Sequence, residues 1–331
     1  VAWHPDEPLL LVAGEGPAVR WTPAGQSALE GLPALADYGH LAFSPNGQAL
    51  WASPSSVVDL ASGALGIGPA WDTGVAAHPA GGLVATLRSD QGTTLIVFAR
   101  VDQEGAPAMR VLRRALILDV DGYETPIFSA DGRHLAIRGN AYVNSLAVFE
   151  FPSLERVLET TLGEPYPGYD SHEWLERMRS WSRYNIAFGA QPGVLWIGTP
   201  TGALVEVDLD DQSAVEHDAV VGSPVTALTA TATGELVVAT AGGDLVLLSV
   251  HAASAKIDPT DSGSLRALVA AFLDSTCEVP DDGDLETDLF LTDGSRTWEP
   301  GDLAAVTTAT STDPTWLQRQ AAINNTRDRE K

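Results

Sequence analysis

His40-Leu-Ala-Phe-Ser-Pro-Asn-Gly47, followed at once by Ala49-Leu-Trp-Ala52, decides how this chain folds. A short apolar run ends in a polar turn, and a second apolar run begins directly after it. Glycine reaches positive φ without a Cβ clash, so Asn46-Gly47 between two apolar runs marks a tight reversal. Ile127-Phe-Ser-Ala-Asp-Gly132, then His134-Leu-Ala-Ile137, repeats the pattern further along. Four more copies follow the same design with weaker turns: residues 1–5 with 9–13, 75–79 with 83–86, 186–188 with 194–198, and 225–228 with 234–239. A third apolar run closes each copy, at 18–21, 57–60, 94–98, 146–149, 203–208 and 244–248.

The runs are apolar at nearly every position instead of alternating. That pattern belongs to sheets buried on both faces. Pro5, Pro45, Pro79, Ala130, Ala190 and Ala230 occupy matching places at intervals of 40, 34, 51, 60 and 40 residues. Intervals near 40 residues are those of one four-stranded propeller blade. A solenoid of such sheets would need polar capping repeats at both ends, and none is legible; a ring has no such need. The expected fold is all-β: a β-propeller of six countable blades over residues 1–257, with a small C-terminal α/β extension over 258–331. A seventh blade could come from upstream residues or from the tail, since Val1 stands inside an apparent strand.

Phe43-Ser-Pro-Asn-Gly47 and Phe128-Ser-Ala-Asp-Gly132 resemble the first-strand turn of a WD40 repeat, and Gly39-His40 resembles its Gly-His pair. Trp21-Thr22, Val58-Asp59 and Val207-Asp208 stand where that family closes on Trp-Asp. The resemblance spans about residues 1–250 and implies a WD40-like propeller with degenerate repeats. Most copies lack the Gly-His and Trp-Asp pairs, so apolar contact is expected to carry the blade packing. The resemblance also implies where a site would be. In such a blade, the loop from second to third strand and the loop leading to the next blade reach one common face.

The longest insertion falls between copies four and five: Gly163-Glu-Pro-Tyr-Pro-Gly-Tyr-Asp170, then Ser171-His-Glu-Trp-Leu-Glu-Arg-Met-Arg-Ser-Trp-Ser182. Ser171 suits a helix N-cap. Trp174, Met178 and Trp181 fall on one helical face, and Glu173 with Arg177 forms a supporting pair. The stripe either packs this helix on the propeller rim or serves as a lid or docking element, since Trp and Arg are common interface anchors. By the common-face rule, 121–124 and 138–144 reach the same sector. The candidate partner-binding residues are Tyr123, Glu124, Arg138, Asn140, Tyr142, Trp174, Arg177 and Trp181. Their mix of rings, amides and charges suits a polar peptide or a small polar ligand.

Charge narrows the partner classes. Forty-four acids against nineteen bases leave a net charge of −25. Such a field repels phosphate backbones and anionic lipid heads, so neither nucleic acid nor a membrane surface is expected as a partner. No apolar run approaches the roughly 18 residues of a bilayer-spanning helix, and no signal peptide opens the chain. Cys277 is the one cysteine, which excludes an internal disulfide and points to a reducing, cytoplasmic setting. Lys256 and Lys331 are the two lysines among bases otherwise made of arginine, as in a high-GC bacterial gene.

Catalytic motifs fail their tests. His172-Glu-Trp-Leu-Glu176 lacks the second histidine of a zinc-protease helix. Asp119-Val-Asp-Gly122 and Asp281-Asp-Gly-Asp284 do not complete a calcium loop. No catalytic residue, metal ligand or cofactor is expected. The leading expectation is a non-catalytic scaffold that binds a protein or peptide on the propeller top face near 163–182. The alternative is a propeller enzyme or small-molecule receptor with a site at the central channel mouth.

The tail reads as a helix with Leu265, Leu268, Val269 and Phe272 on one face, a hairpin turning at Asp293-Gly294, and a last helix opened by Asp313-Pro314. Closing the ring, covering a blade edge and forming a separate interaction piece are all open roles for it.

Overall fold

A computed structural model describes residues 1–329 apart from 14–15, 29–39, 69, 91, 103–107, 120–121, 140–143, 164–171, 175, 177–182, 221, 232, 251–261, 281–282, 284 and 286. The chain divides into two compact units: residues 1–119 with 273–292 and 296–331, and residues 120–272 with 293–295.

The first unit holds three blades. Blade one is β1 (Ala2–Trp3), β2 (Leu10–Val12), β3 (Val19–Thr22) and β4 (Gly25–Ala28). Blade two is β5 (Leu41–Phe43), β6 (Ala49–Ala52), β7 (Ser56–Asp59) and β8 (Leu65–Ile67). Blade three is β9 (Thr73–Ala77), β10 (Leu83–Asp90), β11 (Thr93–Val101) and β12 (Met109–Asp119). In the second unit, blade four is β13 (Ile127–Phe128), β14 (His134–Arg138), β15 (Ser145–Glu150) and β16 (Arg156–Thr161). Blade five is β17 (Ile186–Phe188), β18 (Val194–Gly198), β19 (Leu204–Asp208) and β20 (Ser213–His217), and blade six is β21 (Val225–Ala230), β22 (Leu236–Thr240) and β23 (Leu245–Leu248). Each blade is an antiparallel meander in chain order, and the six of them make the fold a β-propeller.

The two strongest turn signals fold identically. In blade two, Ser44 Oγ donates to Asn46 Oδ1 at 2.7 Å and accepts the Ala49 N–H at 2.9 Å. In blade four, Ser129 Oγ donates to Asp131 Oδ1 at 2.6 Å and accepts the His134 N–H at 2.9 Å. Gly47 and Gly132 take φ of 69° and 67° to close these turns. The histidines of other copies serve the same end of the blade. His4 Nδ1 accepts the Glu7 N–H at 3.0 Å, and His78 Nδ1 accepts that of Ala80 at 3.1 Å.

Burial follows strand order. Every residue of β6, β14 and β18 is buried, whereas every residue of β4, β8 and β20 is exposed. Three of the second strands therefore sit wholly in the core, and three of the outermost strands face solvent, with Leu65, Ile67 and Val215 exposed on them. Ala2, Leu11 and Ala18 of blade one pack with Phe43, Leu50 and Val58 of blade two. Trp51 of blade two packs with Val84, Ala99 and Met109 of blade three. Leu146 and Val148 of blade four join Ile186, Leu195 and Ile197 of blade five, and Trp196 joins Val225 and Val238 of blade six. Blade one also shows Trp3 and Trp21 to solvent, edge to face at 6.3 Å, and blade six shows Leu245 and Leu247.

Two strands of the tail pair onto the edge of blade three. β24 (Phe290–Thr292) adds in parallel to β12, and β25 (Thr297–Trp298) pairs with β24, which brings the sheet of blade three to six strands. Three helices accompany them: α1 (Ser262–Asp274), α2 (Pro300–Ala305) and α3 (Thr315–Arg329). Phe272 of α1 is fully buried against Phe151, with ring centroids 5.1 Å apart. Asn324 pins α3 to α2: its Nδ2 donates to Leu303 O and to Val306 O, each at 2.8 Å. Trp298 and Trp316 meet edge to face at 4.9 Å beside Ala115 and Ile117. Among the described residues no helix is long and apolar enough to cross a membrane.

Gly198 shows how tightly blades five and six approach. A Cβ built there would lie 2.6 Å from Val225 Cβ, a separation that forces backbone or rotamer shifts. Gly198→Ala is expected to destabilise the protein by about 1–3 kcal/mol, the usual cost of overpacking. Gly66→Ala, where the nearest atom is 3.8 Å away, is expected to stay within about 0.5 kcal/mol. Urea unfolding midpoints of the two variants measure the difference.

Candidate functional site

Strands apolar on both faces leave polar chemistry to their ends. Arg138 is the last residue of β14, and only 1% of it is exposed. A buried guanidinium must have its donors satisfied. Nε donates to Asn185 Oδ1 at 3.2 Å, and Nη1 donates to Gly139 O at 2.6 Å and Ser145 O at 2.9 Å. Asn185, fully buried ahead of β17, donates through Nδ2 to Gly198 O at 2.8 Å. The Gly198 N–H donates back to Asn185 O at 2.7 Å. A continuous run of hydrogen bonds thus ties the end of β14 in blade four to the end of β18 in blade five.

Burial pushes the Arg138 pKa down to about 10, and the nearby Glu124 charge opposes that shift. The guanidinium therefore stays charged at neutral pH. The Glu124 N–H donates to Arg138 O at 2.8 Å, and Tyr123 forms an isolated bridge with Gly139. The bare Cα of Gly139 allows this approach, because a Cβ would meet Ser145 Oγ and stand 3.1 Å from Tyr123 Cε1. Beside it Asn144 is buried at φ 47°, with its carbonyl accepting the Leu162 N–H at 2.9 Å. The Asn144 amide and Ser145 Oγ are buried without a hydrogen-bond partner among the described residues.

Glu124 looks outward from this base. Its Oε1 lies 3.5 Å from Arg183 Nε, and the two side chains are 19% and 52% exposed. Tyr184 follows, 57% exposed. Its backbone is held, since Tyr184 O accepts the Leu228 N–H of blade six at 2.8 Å. An arginine and a tyrosine thus project from a rigid polar base.

The eight sequence-predicted residues divide three ways. Tyr123 and Glu124 are half-buried and come together with Arg138. Arg138 and Trp174 are buried, so their side chains support the surface from beneath. Asn140, Tyr142, Arg177 and Trp181 lie outside the described residues. Of the insertion helix, 172–174 and 176 are described and helical. Arg183, Tyr184 and Asn185 escaped the reading of the sequence. They occupy the loop class that leads into a blade, which is the signal that could have found them.

A second feature of this unit is a cavity of about 650 Å³ walled by the first strands of blades four, five and six. Its lining is mainly apolar, from Ile127, Phe128, Ile186 and Phe188 to Leu228, with Thr229, Thr231 and Thr233 as polar groups. Among the described residues no group of three His, Cys, Asp or Glu side chains could hold a metal ion.

No family model matches the chain, and no curated protein matches it in sequence. Solved structures similar to it include the crystal structure of a mitotic checkpoint complex, with TM-score 0.48 and 15% identity over 76% of this chain and 74% of that one. Another is the crystal structure of Saccharomyces cerevisiae Sqt1, with TM-score 0.47 and 14% identity over 74% of this chain and 80% of that one.

Asn185→Ala removes one acceptor from a buried charge and one donor from Gly198 O. A hydrogen bond to a charged group contributes about 1.5–3 kcal/mol, so a loss of roughly that size is expected. Urea unfolding followed by tryptophan fluorescence measures it.

Proposed function

We propose that the chain is a cytoplasmic, WD40-like scaffold that binds a protein or peptide partner without catalysing a reaction. The contact face is the end of blades four and five where their second strands finish, next to the 163–182 insertion. One observation carries the reading: Arg183 and Tyr184 project into solvent from the buried Arg138–Asn185 network. Arg and Tyr are the side chains that most often anchor interfaces. A rigid base reduces the ordering cost of binding, because the contact groups are already placed. Arg183 and Glu124 together can pair with opposite charges of a polar peptide. In this reading Asn140, Tyr142, Arg177 and Trp181 also take part in binding, while Arg138 and Trp174 stabilise the surface from below.

A second reading, a propeller enzyme or small-molecule receptor, draws on the cavity of about 650 Å³ along the first strands of blades four to six. Its volume suits a drug-sized ligand, and its threonines could orient one.

The two readings separate experimentally. Affinity purification from the source cell compares the wild type with the Arg183→Ala/Tyr184→Ala variant. The expected result is a partner recovered with the wild type and depleted about tenfold or more with the variant, a loss of about 1.4 kcal/mol or more. Equal recovery would remove the proposed contact face. A bound metabolite retained by both proteins, with no protein partner, would favour the receptor reading.

A further inference from the structure

Blade junctions in this chain repeat one register, and each junction has two halves. Directly opposed residues share a sheet face. In blade two, Phe43, Leu50 and Val58 stand in one such row, and the row packs on blade one. Phe188, Leu195 and Val207 of blade five pack on blade four in the same way. So do Ala230, Leu236 and Leu248 of blade six on blade five. The residue after the middle one points to the opposite face. There Trp51 of blade two meets blade three, and Trp196 of blade five meets blade six. A leading row on one sheet thus enters a receiving face on the sheet before it.

One half of each kind is left open to solvent. The leading row of blade one is Trp3, Leu10 and Trp21. Leu50, Leu195 and Leu236 are fully buried, whereas Leu10 in the matching place is half-buried. Trp3 and Trp21 beside it are 62% and 37% exposed. The receiving face of blade six holds the row Thr229, Val237 and Leu247, with Ala239 and Leu245 in the next row of that face. Trp196 in the place of Val237 is buried, whereas Val237 is half-buried. Leu245 and Leu247 are 74% and 64% exposed. Neither the row nor the receiving face contains a charged residue. Contiguous apolar surface of this kind marks an interaction face.

We propose that blade one of one copy of this chain stacks on blade six of a second copy. Trp3, Leu10 and Trp21 meet Val237, Leu245 and Leu247. The occupant follows from the register: each open face is the half that the other lacks, and one chain carries both. An uncharged face also offers a charged foreign partner nothing to pair with. Because the contact joins two different faces, each added copy leaves one half of each kind available, so assembly continues past the dimer. The net charge of −25 on each copy opposes the approach at long range. Salt screens that repulsion and leaves the apolar contact in place. These faces are separate from the contact face proposed for blades four and five.

Sedimentation velocity of the whole chain from about 1 to 200 µM tests the assignment. Oligomers larger than the dimer are expected to grow with concentration, and more so at about 0.5 M than at 0.05 M sodium chloride. Trp3→Asp removes one half of the contact and Leu247→Asp the other. Both positions are exposed, so each variant is expected to keep the wild-type circular dichroism spectrum while sedimenting as a monomer. Mixed in equal amounts, the two variants retain one intact half each and are expected to form a one-to-one dimer and nothing larger. A wild type that stays monomeric over the whole range would overturn the proposal. So would a single variant that assembles like the wild type, a mixture that stays monomeric, or assembly that salt weakens.

Discussion

A strand that is apolar on both faces cannot border water, and this fold depends on that constraint. β6 and β18 have no polar face to offer, and β14, with His134 and Arg138 at its ends, is buried throughout. Each must lie between two other layers, and a sheet on either side is the way to supply them. Stacked blades follow from that requirement. The requirement also sorts the rest of the chain by position. Solvent is met at the outermost strands β4, β8 and β20, and polar groups gather where strands end. Chemistry in such a protein is chemistry at strand ends.

Arg138 shows what that confinement produces. Its backbone still belongs to a buried strand, so its guanidinium emerges inside the protein and has to be satisfied there. Asn185 and the carbonyls of Gly139 and Ser145 take its Nε and Nη1 donors. The cost of burying the charge appears as the depressed pKa of about 10. What results is mechanical: the ends of β14 and β18 are locked by hydrogen bonds, and the loop leading into β17 is locked with them. Arg183 and Tyr184 stand on that locked loop. A surface pair held this way loses little freedom on meeting a partner, whereas the same residues on a loose loop would first have to be ordered.

Much of this was legible in the residues, and the omissions have physical causes. Ser44 with Asn46 and Ser129 with Asp131 announce their turns, because the side-chain geometry is local and repeats. β4, β8 and β20 left almost no trace. An exposed outer strand needs no apolar run, so its sequence looks like a loop. The hairpin at Asp293-Gly294 was readable, but its parallel pairing with β12 was not, since a pairing so distant in sequence has no local signature. The same holds for the site. Tyr123 and Glu124, expected on one face with Arg138, do come together with it. Asn185 was missed because a buried asparagine before a strand looks like any polar loop residue until its partner Arg138 is seen across the blade junction.

Charge pairing gives the remaining structure its contrast. With more than two acids for each base, several arginines of this chain find a carboxylate without special arrangement. Arg100 has Glu278, Arg110 has Asp102, Arg113 has Asp288, Arg156 has Glu159 and Arg183 has Glu124. Such exposed or half-exposed pairs contribute about 0–1 kcal/mol each, so stability alone does not explain where arginines are kept. The informative arginine is the one whose setting costs something. Arg138 stands in a fully buried network that holds the ends of two blades, and the structure it locks accounts for it.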